Sequence, residues 1–166
     1  LPIWKNEYRR KLDEEWAQKQ VSLERITLEG IKRLVSNDSK KLRVINFWAT
    51  WCGPCIAEFS GLVETFRMYQ GRDFELVTVS LDKAPLEARV KDFLNLKQAA
   101  FTANYLFPGE DKYALIEAVD PQWPGNIPYT LIVEPGGKVI HRFSGGVHMT
   151  ELRKKIVDHP LIGRYF

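Results

Sequence analysis

The sequence predicts an α/β fold in which helices flank a central mixed β-sheet. Strand-like and helix-like segments alternate along most of the chain, and a tight turn at residues 135–137 joins the last two strand-like segments. The only two cysteines, Cys52 and Cys55, lie where a buried strand passes into a helix. Alternation of this kind is typical of parallel strands covered by helices on both faces, whereas a tight turn joins antiparallel strands.

The composition is that of an ordinary folded domain and excludes some functions. The chain has 166 residues, of which 45% are hydrophobic and 27% are charged. We expect one domain, residues 1–166, with a helical extension at 1–21 and a core at about 40–160. The net charge of +3 is too small and too evenly spread to predict nucleic-acid binding. No run of about 18 apolar residues is present, so we expect no membrane span in this chain.

The N-terminal part predicts two helices. Apolar residues recur there at roughly helical spacing: Trp4, Tyr8, Leu12, Trp16 and Val21. This pattern predicts an amphipathic helix packed on the edge of the domain. Thr27 is a residue type that caps helices, and it precedes a second predicted helix at 28–35. The residues at 36–39 favour a turn; the triplet beginning at Asn37 also matches a glycosylation sequon, but a loop is the favoured interpretation.

The remaining elements follow from hydrophobic periodicity and residue type. Segments rich in β-branched and aromatic residues predict strands at 42–48, 74–81, 102–107, 129–134 and 138–143. Helical spacing predicts helices at 56–69, 85–96, 111–119 and 150–159. A loop at 121–128 contains three prolines and leads into the fourth of these strands. The elements together predict a sheet with parallel strands around the dithiol and an antiparallel hairpin at the end.

The dithiol favours redox chemistry. Two thiols separated by two residues can form a reversible disulfide or share a metal ion. Cys52 is near a helix N-terminus, where free N–H groups and the helix dipole stabilise a thiolate. We expect Cys52 to attack a partner disulfide and Cys55, one helical turn on, to be more buried and to resolve the intermediate. A structural disulfide and a zinc half-site are the alternatives, but the three histidines lie far away without ligand spacing, so we expect no metal.

The stretch at 44–55, Val-Ile-Asn-Phe-Trp-Ala-Thr-Trp-Cys-Gly-Pro-Cys, resembles the thioredoxin superfamily. Its residue pattern is more similar to the TlpA/ResA-like branch of extracytoplasmic thiol:disulfide oxidoreductases (redoxin-type proteins) than to cytosolic thioredoxin. The resemblance covers about residues 40–160 and implies a thioredoxin fold, with the stretch at about 85–119 similar to the strand-helix insertion of that branch. It implies an enzyme that reduces protein disulfides without a cofactor.

The resemblance also implies partners and a location. The partners would be a client protein with a disulfide or thiols and an upstream thiol reductant that returns electrons to the dithiol. The location would be the periplasm or another extracytoplasmic compartment. The sequence begins with Leu1 and not with Met, so we expect either a mature chain from which a signal or anchor has been removed or a trimmed piece of a longer chain.

Several site residues are carried over from the resemblance. Gly53 and Pro54 match the dipeptide of thioredoxin, which implies a reducing dithiol. Pro128 falls where the family places its cis-proline, and the backbone of Ile127 would pair with an incoming client strand. Trp51 would shield the sulfurs and contact the client.

The sequence departs from classical thioredoxins near the dithiol. Asn46 stands where those proteins place a buried aspartate, and Glu58, three residues after the second cysteine, would take the proton of Cys55 through water. A solvated helix carboxylate is the alternative for Glu58. Trp123 and Tyr129 flank the expected cis-proline, and we expect them to line a groove for the client, with loop packing as the alternative for Trp123.

Two other functions compete with the reductase. Peroxiredoxins, which are thiol peroxidases, set their reactive cysteine in a Pro-x-x-x-Thr-x-x-Cys frame. In this chain Thr50 is only two residues before Cys52 and the proline is missing. The other competitor is a thioredoxin-like binding module whose dithiol is not catalytic, which the intact Cys-Gly-Pro-Cys disfavours.

Overall fold

The computed structural model describes residues 3–163, with side chains from residue 6 onward. The helices in this range are α1 (Ile3–Gln18), α2 (Leu28–Ser36), α3 (Gly53–Tyr69), α4 (Glu87–Leu96), α5 (Lys112–Val119) and α6 (Met149–Val157). The strands are β1 (Glu24–Arg25), β2 (Leu42–Trp48), β3 (Phe74–Ser80), β4 (Ala103–Leu106), β5 (Tyr129–Val133) and β6 (Val139–Ser144). The order and type of the predicted elements are confirmed, and a short 3₁₀ turn at Ala84–Leu86 precedes α4.

The strands form one mixed sheet in the order β1-β4-β3-β2-β5-β6. The first four strands of this order are parallel to one another, while β5 is antiparallel to both β2 and β6. The predicted combination of parallel strands and a terminal antiparallel hairpin is therefore confirmed. The edge strand β1 was not predicted, because two residues are too few to show a period of two.

The central strand β2 is buried on both of its faces. Val44 and Trp48 belong to a core cluster that also contains residues of α3, α4 and α6. Ile45 and Phe47 point into a second cluster, formed with residues of α2 and α5. Burial on both faces explains why the sequence of this strand is a nearly continuous apolar run instead of an alternating one.

The N-terminal helix is anchored by one aromatic side chain. Trp16 is 1% exposed, whereas Tyr8 on the same helix is 63% exposed. The ring of Trp16 lies 4.5 Å from that of Phe101 and 6.0 Å from that of Phe66, measured between centroids. The predicted helix is confirmed, although the side chain of Trp4 and residues 1–2 lie outside the described part of the chain.

Both ends of α2 are fixed by side-chain hydrogen bonds. Thr27 caps the helix as predicted, with its hydroxyl accepting the Gly30 N–H at 3.1 Å. At the other end Asn37 is buried and adopts a left-handed conformation with φ of 40°. Its amide donates to the carbonyls of Lys41 at 2.9 Å and Val133 at 3.0 Å. The loop interpretation of this triplet is therefore confirmed, since the Asn37 side chain is buried and hydrogen-bonded.

We predict that Trp16→Ala lowers the free energy of unfolding by about 3–5 kcal/mol, because it removes a buried aromatic side chain from the main core. Tyr8→Ala is the matched control on the same helix and should change it by less than about 0.5 kcal/mol. Urea unfolding followed by circular dichroism measures both. Equally small losses for the two variants would mean that α1 contributes little to the fold.

Candidate active site

The two cysteines lie at the turn from β2 into α3, where they form a disulfide. Cys52 is the N-cap residue of α3, and its sulfur accepts the N–H of Cys55 at 3.3 Å. Pro54 lies in the first helical turn, where a proline costs no hydrogen bond. A sulfur in the capping position receives the free N–H groups of the helix, so this geometry stabilises negative charge on Cys52.

The two cysteines differ in exposure. Cys52 is 7% exposed and Cys55 is 1% exposed, which confirms that the second cysteine is the more buried. Gly53 and Pro54 are exposed between them. A partner approaching the dithiol therefore reaches Cys52 first.

The loop before β5 lies against the first sulfur. The Ile127–Pro128 peptide bond is cis, as predicted. The Ile127 carbonyl oxygen is 3.7 Å from the Cys52 sulfur, and Ile127 itself is half-buried. The conformation of the loop is supported by Trp123, whose indole N–H donates to the Asn126 carbonyl at 2.7 Å.

The expectation that Tyr129 lines a client groove is wrong. Tyr129 is buried, its ring stacks on Trp123 with centroids 5.1 Å apart, and its hydroxyl donates to Asp120 at 2.8 Å. Burial opposes the ionisation of Asp120, but the Gln122 N–H, Tyr129 and Arg142 outweigh it and hold the pKa of Asp120 below its usual value. Burial and the Asp120 carboxylate raise the pKa of Tyr129. Tyr129 thus supports the cis-proline loop from inside.

Glu58 lies one helical turn beyond Cys55 and is only 9% exposed, so it is not the freely solvated carboxylate of the alternative interpretation. One of its oxygens accepts from the Asn46 amide at 3.3 Å, and the other accepts the Val147 N–H at 3.0 Å. Burial raises the pKa of Glu58, and the hydrogen bonds from Val147 and Asn46 offset only part of that rise. The Asn46 amide also donates to the Thr130 hydroxyl at 3.0 Å, so it links Glu58 to β5.

Glu58 is nevertheless in contact with solvent on one side. An open cavity of about 450 Å³ is lined by Glu58, Pro54 and Gly146, together with neighbouring residues of α3 and the segment before α6. Water in this cavity can reach the carboxyl group. The geometry therefore combines a pKa above the usual range with a path for protons.

A buried aspartate holds the turn that precedes the dithiol. The carboxylate of Asp82 accepts the Thr50 N–H at 2.9 Å and the Thr50 hydroxyl at 2.6 Å. It also accepts the Ser80 hydroxyl at 2.6 Å. These bonds tie the turn to the end of β3. The sequence analysis missed this contact because Asp82 and Thr50 are 32 residues apart and neither carries a local signal of the pairing.

The two tryptophans next to the dithiol have opposite environments. Trp48 is fully buried and packs against Phe59 and Phe93, with ring centroids 4.7 and 5.1 Å away. Trp51 is 61% exposed and lies directly before Cys52. An exposed indole beside a reactive sulfur is suited to contact with a partner protein.

The described range meets the requirements of neither a metal site nor a membrane-spanning helix. Within residues 3–163, no three or more His, Cys, Asp or Glu side chains are grouped so that they could hold a metal ion. None of the helices described is both long enough and apolar enough to cross a membrane.

A dithiol at a helix N-terminus, next to a cis-proline on this sheet, defines a thioredoxin-fold dithiol protein. The chain belongs to the AhpC/TSA family, whose model matches residues 16–154. It is similar to the thiol-disulfide oxidoreductase ResA of Oceanobacillus iheyensis, with 30% identity over 69% of this chain and 55% of the relative. For ResA of Bacillus subtilis the identity is 26%, over 69% of this chain and 59% of the relative. The chain thus spans well under two thirds of the length of these curated relatives.

Solved structures support the fold. A thiol:disulfide interchange protein of Chlorobium tepidum superposes with a TM-score of 0.57 and 21% identity, covering 82% of this chain and 91% of that one. StoA of Bacillus subtilis superposes with a TM-score of 0.53 and 19% identity, covering 70% of this chain and 82% of that one. The resemblance to the thioredoxin superfamily and its ResA-like branch is confirmed.

We predict that the free energy of unfolding of the oxidised protein depends on pH through the ionisation of Glu58. Folding raises the pKa of this carboxyl group. The stabilisation that Glu58 contributes to the folded state is therefore fully present below its unfolded pKa of 4.5, and it is lost as pH rises through the folded pKa. Relative to Glu58→Gln, the wild type should therefore lose free energy of unfolding as pH rises above 4.5. Urea unfolding at several pH values measures this difference.

The control for this measurement is Glu117→Gln, which removes an exposed carboxylate from α5. A wild-type chain that becomes more stable than Glu58→Gln as pH rises would contradict the direction of the shift.

Proposed function

We propose that this chain is a thiol:disulfide oxidoreductase that reduces disulfides of client proteins. The observation that carries the proposal is the Cys52 sulfur, which caps α3, accepts the Cys55 N–H and lies beside the Ile127 carbonyl. The curated relatives named thiol-disulfide oxidoreductase ResA support the same chemistry.

The proposed reaction has two exchange steps. The Cys52 thiolate attacks one sulfur of the client disulfide, forms a mixed disulfide and releases the first client thiolate. The Cys55 thiolate then attacks the Cys52 sulfur, which releases the second client thiolate and leaves the Cys52–Cys55 disulfide. Two electrons pass from the chain to the client. An upstream thiol reductant restores the dithiol, and the chemistry requires no prosthetic group.

Glu58 is proposed to accept the proton of Cys55 before the second step. It lies on the same helix one turn away, it is in contact with a water-accessible cavity, and burial raises its pKa. A carboxyl group with a raised pKa is better matched to proton exchange with a thiol than an ordinary glutamate. Asn46, in the position of the aspartate of classical thioredoxins, would orient this carboxyl group through its amide.

The client is proposed to bind across the exposed surface around Cys52. Trp51, Gly53 and Pro54 are exposed on one side of this surface, and on the other side half-buried Ile127 lies over the buried Pro128. The backbone of Ile127 would pair with an extended client segment. Because the sulfur of Cys52 faces the Ile127 carbonyl, a client cysteine joined to it lies next to that backbone.

The setting is proposed to be thiol-based electron transport in the periplasm or another extracytoplasmic compartment. This location is inferred from the resemblance of the 44–55 stretch to the extracytoplasmic branch. In an oxidising compartment a dedicated reductant would keep selected cysteines reduced.

A thiol peroxidase is less well supported by the geometry. The Thr50 hydroxyl donates its only proton to Asp82, so it does not donate a hydrogen bond to the sulfur of Cys52. Hydrogen peroxide consumption by the reduced protein tests this function directly. Peroxide turnover that exceeds the reduction of protein disulfides would favour the peroxidase over our proposal.

We predict that reduced Cys55→Ser forms a stable covalent adduct with insulin, because the mixed disulfide on Cys52 has no thiol left to resolve it. Cys52→Ser is the matched control and should form at least tenfold less adduct, since its remaining thiol is buried. Non-reducing electrophoresis and mass spectrometry measure the adduct. If Cys52→Ser forms the adduct instead, Cys55 is the attacking cysteine and Cys52 the resolving one. If neither variant forms an adduct and the wild type does not reduce insulin, the proposed function is overturned.

A further inference from the structure

Asp82 is a fully buried carboxylate beside the turn that leads into the dithiol. Its exposed fraction is 0%, and its two oxygens accept three hydrogen bonds, from the Thr50 N–H, the Thr50 hydroxyl and the Ser80 hydroxyl. All three donors are neutral groups. Accepting three bonds on two oxygens is the pattern of an ionised carboxyl group, which has no proton of its own to donate. Asp82 therefore brings a negative charge into the interior of the protein.

No cation balances this charge within the described part of the chain. None of the ion pairs between described residues includes Asp82. The neighbouring Lys83 is exposed to solvent. By contrast, the buried Asp120 is paired with Arg142. A buried charge without a partner of opposite sign costs free energy of folding, so its position beside the dithiol points to a role there.

Asp82 holds the turn that carries the reactive sulfur. Residues 49–52 form this turn, which is closed by the Cys52 N–H donating to the Ala49 carbonyl at 3.2 Å. Thr50 is the second residue of the turn, and both its N–H and its hydroxyl donate to Asp82. The carboxylate is therefore held at a fixed place relative to Cys52.

The charge is close enough to act on the Cys52 sulfur. The Thr50 hydroxyl is 2.6 Å from an oxygen of Asp82. Two residues span at most about 7 Å, so the carboxylate lies on the order of 10 Å from the sulfur. Cys52 is only 7% exposed, so both groups are buried and water screens them weakly. With an effective dielectric constant of about 20, two unit charges at this separation change an ionisation equilibrium by about tenfold.

The other charged groups around the dithiol are in better contact with water. Glu58 faces an open cavity, which the exposed His148 also lines. Two cations and two carboxylates lie near Trp51, and all four are exposed: Lys83, Lys112, Glu110 and Asp111. Solvent and salt screen exposed charges strongly. Among these groups, Asp82 is the one that solvent screens least.

We infer that Asp82 sets the strength of the dithiol as an electron donor. Through Thr50 it positions the turn, and its negative charge opposes that of the Cys52 thiolate. A less stable thiolate makes the reduced protein less stable relative to the disulfide, so electrons are given up more readily. The N-terminus of α3 acts in the opposite direction, since it stabilises the thiolate. The inference rests on the proposed function and adds to it the residue that favours donation.

The test is Asp82→Asn, which removes the charge and can keep the turn. The amide oxygen can accept from the Thr50 N–H and the Ser80 hydroxyl, while the amide nitrogen donates to the Thr50 hydroxyl oxygen. In a Cys55→Ser background Cys52 is the only thiol, and its alkylation by iodoacetamide is measured as a function of pH. We expect the midpoint of this profile to fall by about one pH unit.

The same substitution is also made in the chain that keeps both cysteines. There the equilibrium constant for reduction of the Cys52–Cys55 disulfide by dithiothreitol should rise about two- to tenfold, because a more stable thiolate favours the reduced form. Circular dichroism shows whether each variant is folded. If Asp82→Asn does not fold, Asp82→Ser, which is also neutral, takes its place with the same expected shifts.

Two control variants separate the charge from the geometry of the turn. Thr50→Val removes one hydrogen bond from the turn but leaves the carboxylate, so the alkylation midpoint should stay close to that of the wild type. Thr78→Val removes another buried hydroxyl of β3, which donates to Asn104 at 2.8 Å, and should leave both measurements unchanged.

The outcomes separate this inference from the proposed function. Wild-type values in Asp82→Asn would overturn the inference, and so would an equal shift in Thr50→Val, since the geometry of the turn would then be the cause. If neither neutral variant of Asp82 folds, the aspartate serves the fold and the inference is overturned as well. In each case reduction of insulin by the wild type leaves the proposed function standing. If the wild type does not reduce insulin, the proposed function is overturned and the inference with it.

Discussion

The N-cap of α3 is a sulfur atom, and the arrangement of the site depends on this. In most helices a hydroxyl or carboxylate oxygen accepts the free N–H groups of the first turn. Here the acceptor is the sulfur of Cys52, which is also the accessible member of the dithiol. The same hydrogen bond therefore closes the helix and stabilises the reactive form of the thiol. Reduction and oxidation of the pair change the charge on an atom that the fold uses as a cap.

Three buried carboxyl groups surround this cap, and each one fixes a different part of the site. Asp82 holds the turn before the dithiol, and Asp120 supports the cis-proline loop through Tyr129. Glu58 joins α3 to the segment before α6 through the Val147 N–H. Asp120 is stabilised as an anion by its donors, whereas burial raises the pKa of Glu58. Of these two groups, the one less stabilised as an anion is Glu58, which is also the closer in sequence to the dithiol.

The parts of the structure that could be predicted are those whose signals are local. The apolar run of β2 and the helical spacing of α3 are enough to predict that the dithiol lies at a strand-to-helix junction. The cis-proline at Pro128 was predicted from the resemblance of the motif to a known family. Asp82 could not be predicted, because its partner Thr50 is distant in the sequence. The role of Tyr129 was predicted wrongly, because the local sequence does not distinguish an aromatic residue that faces a client from one that faces the core.

The central claim is that this dithiol is a donor of electrons, and its reduction potential tests that claim most directly. Within the described part of the chain, the hydrogen-bond partners of the Cys52 sulfur are a backbone N–H and a carbonyl oxygen. Such surroundings stabilise the thiolate only moderately, so the reduced form is not strongly favoured. Trp48 and Trp51 lie next to the disulfide and report its state by fluorescence in dithiothreitol redox buffers. The account predicts a potential near that of thioredoxin, about −270 mV; a value near −120 mV, about that of a strong oxidant, would contradict it.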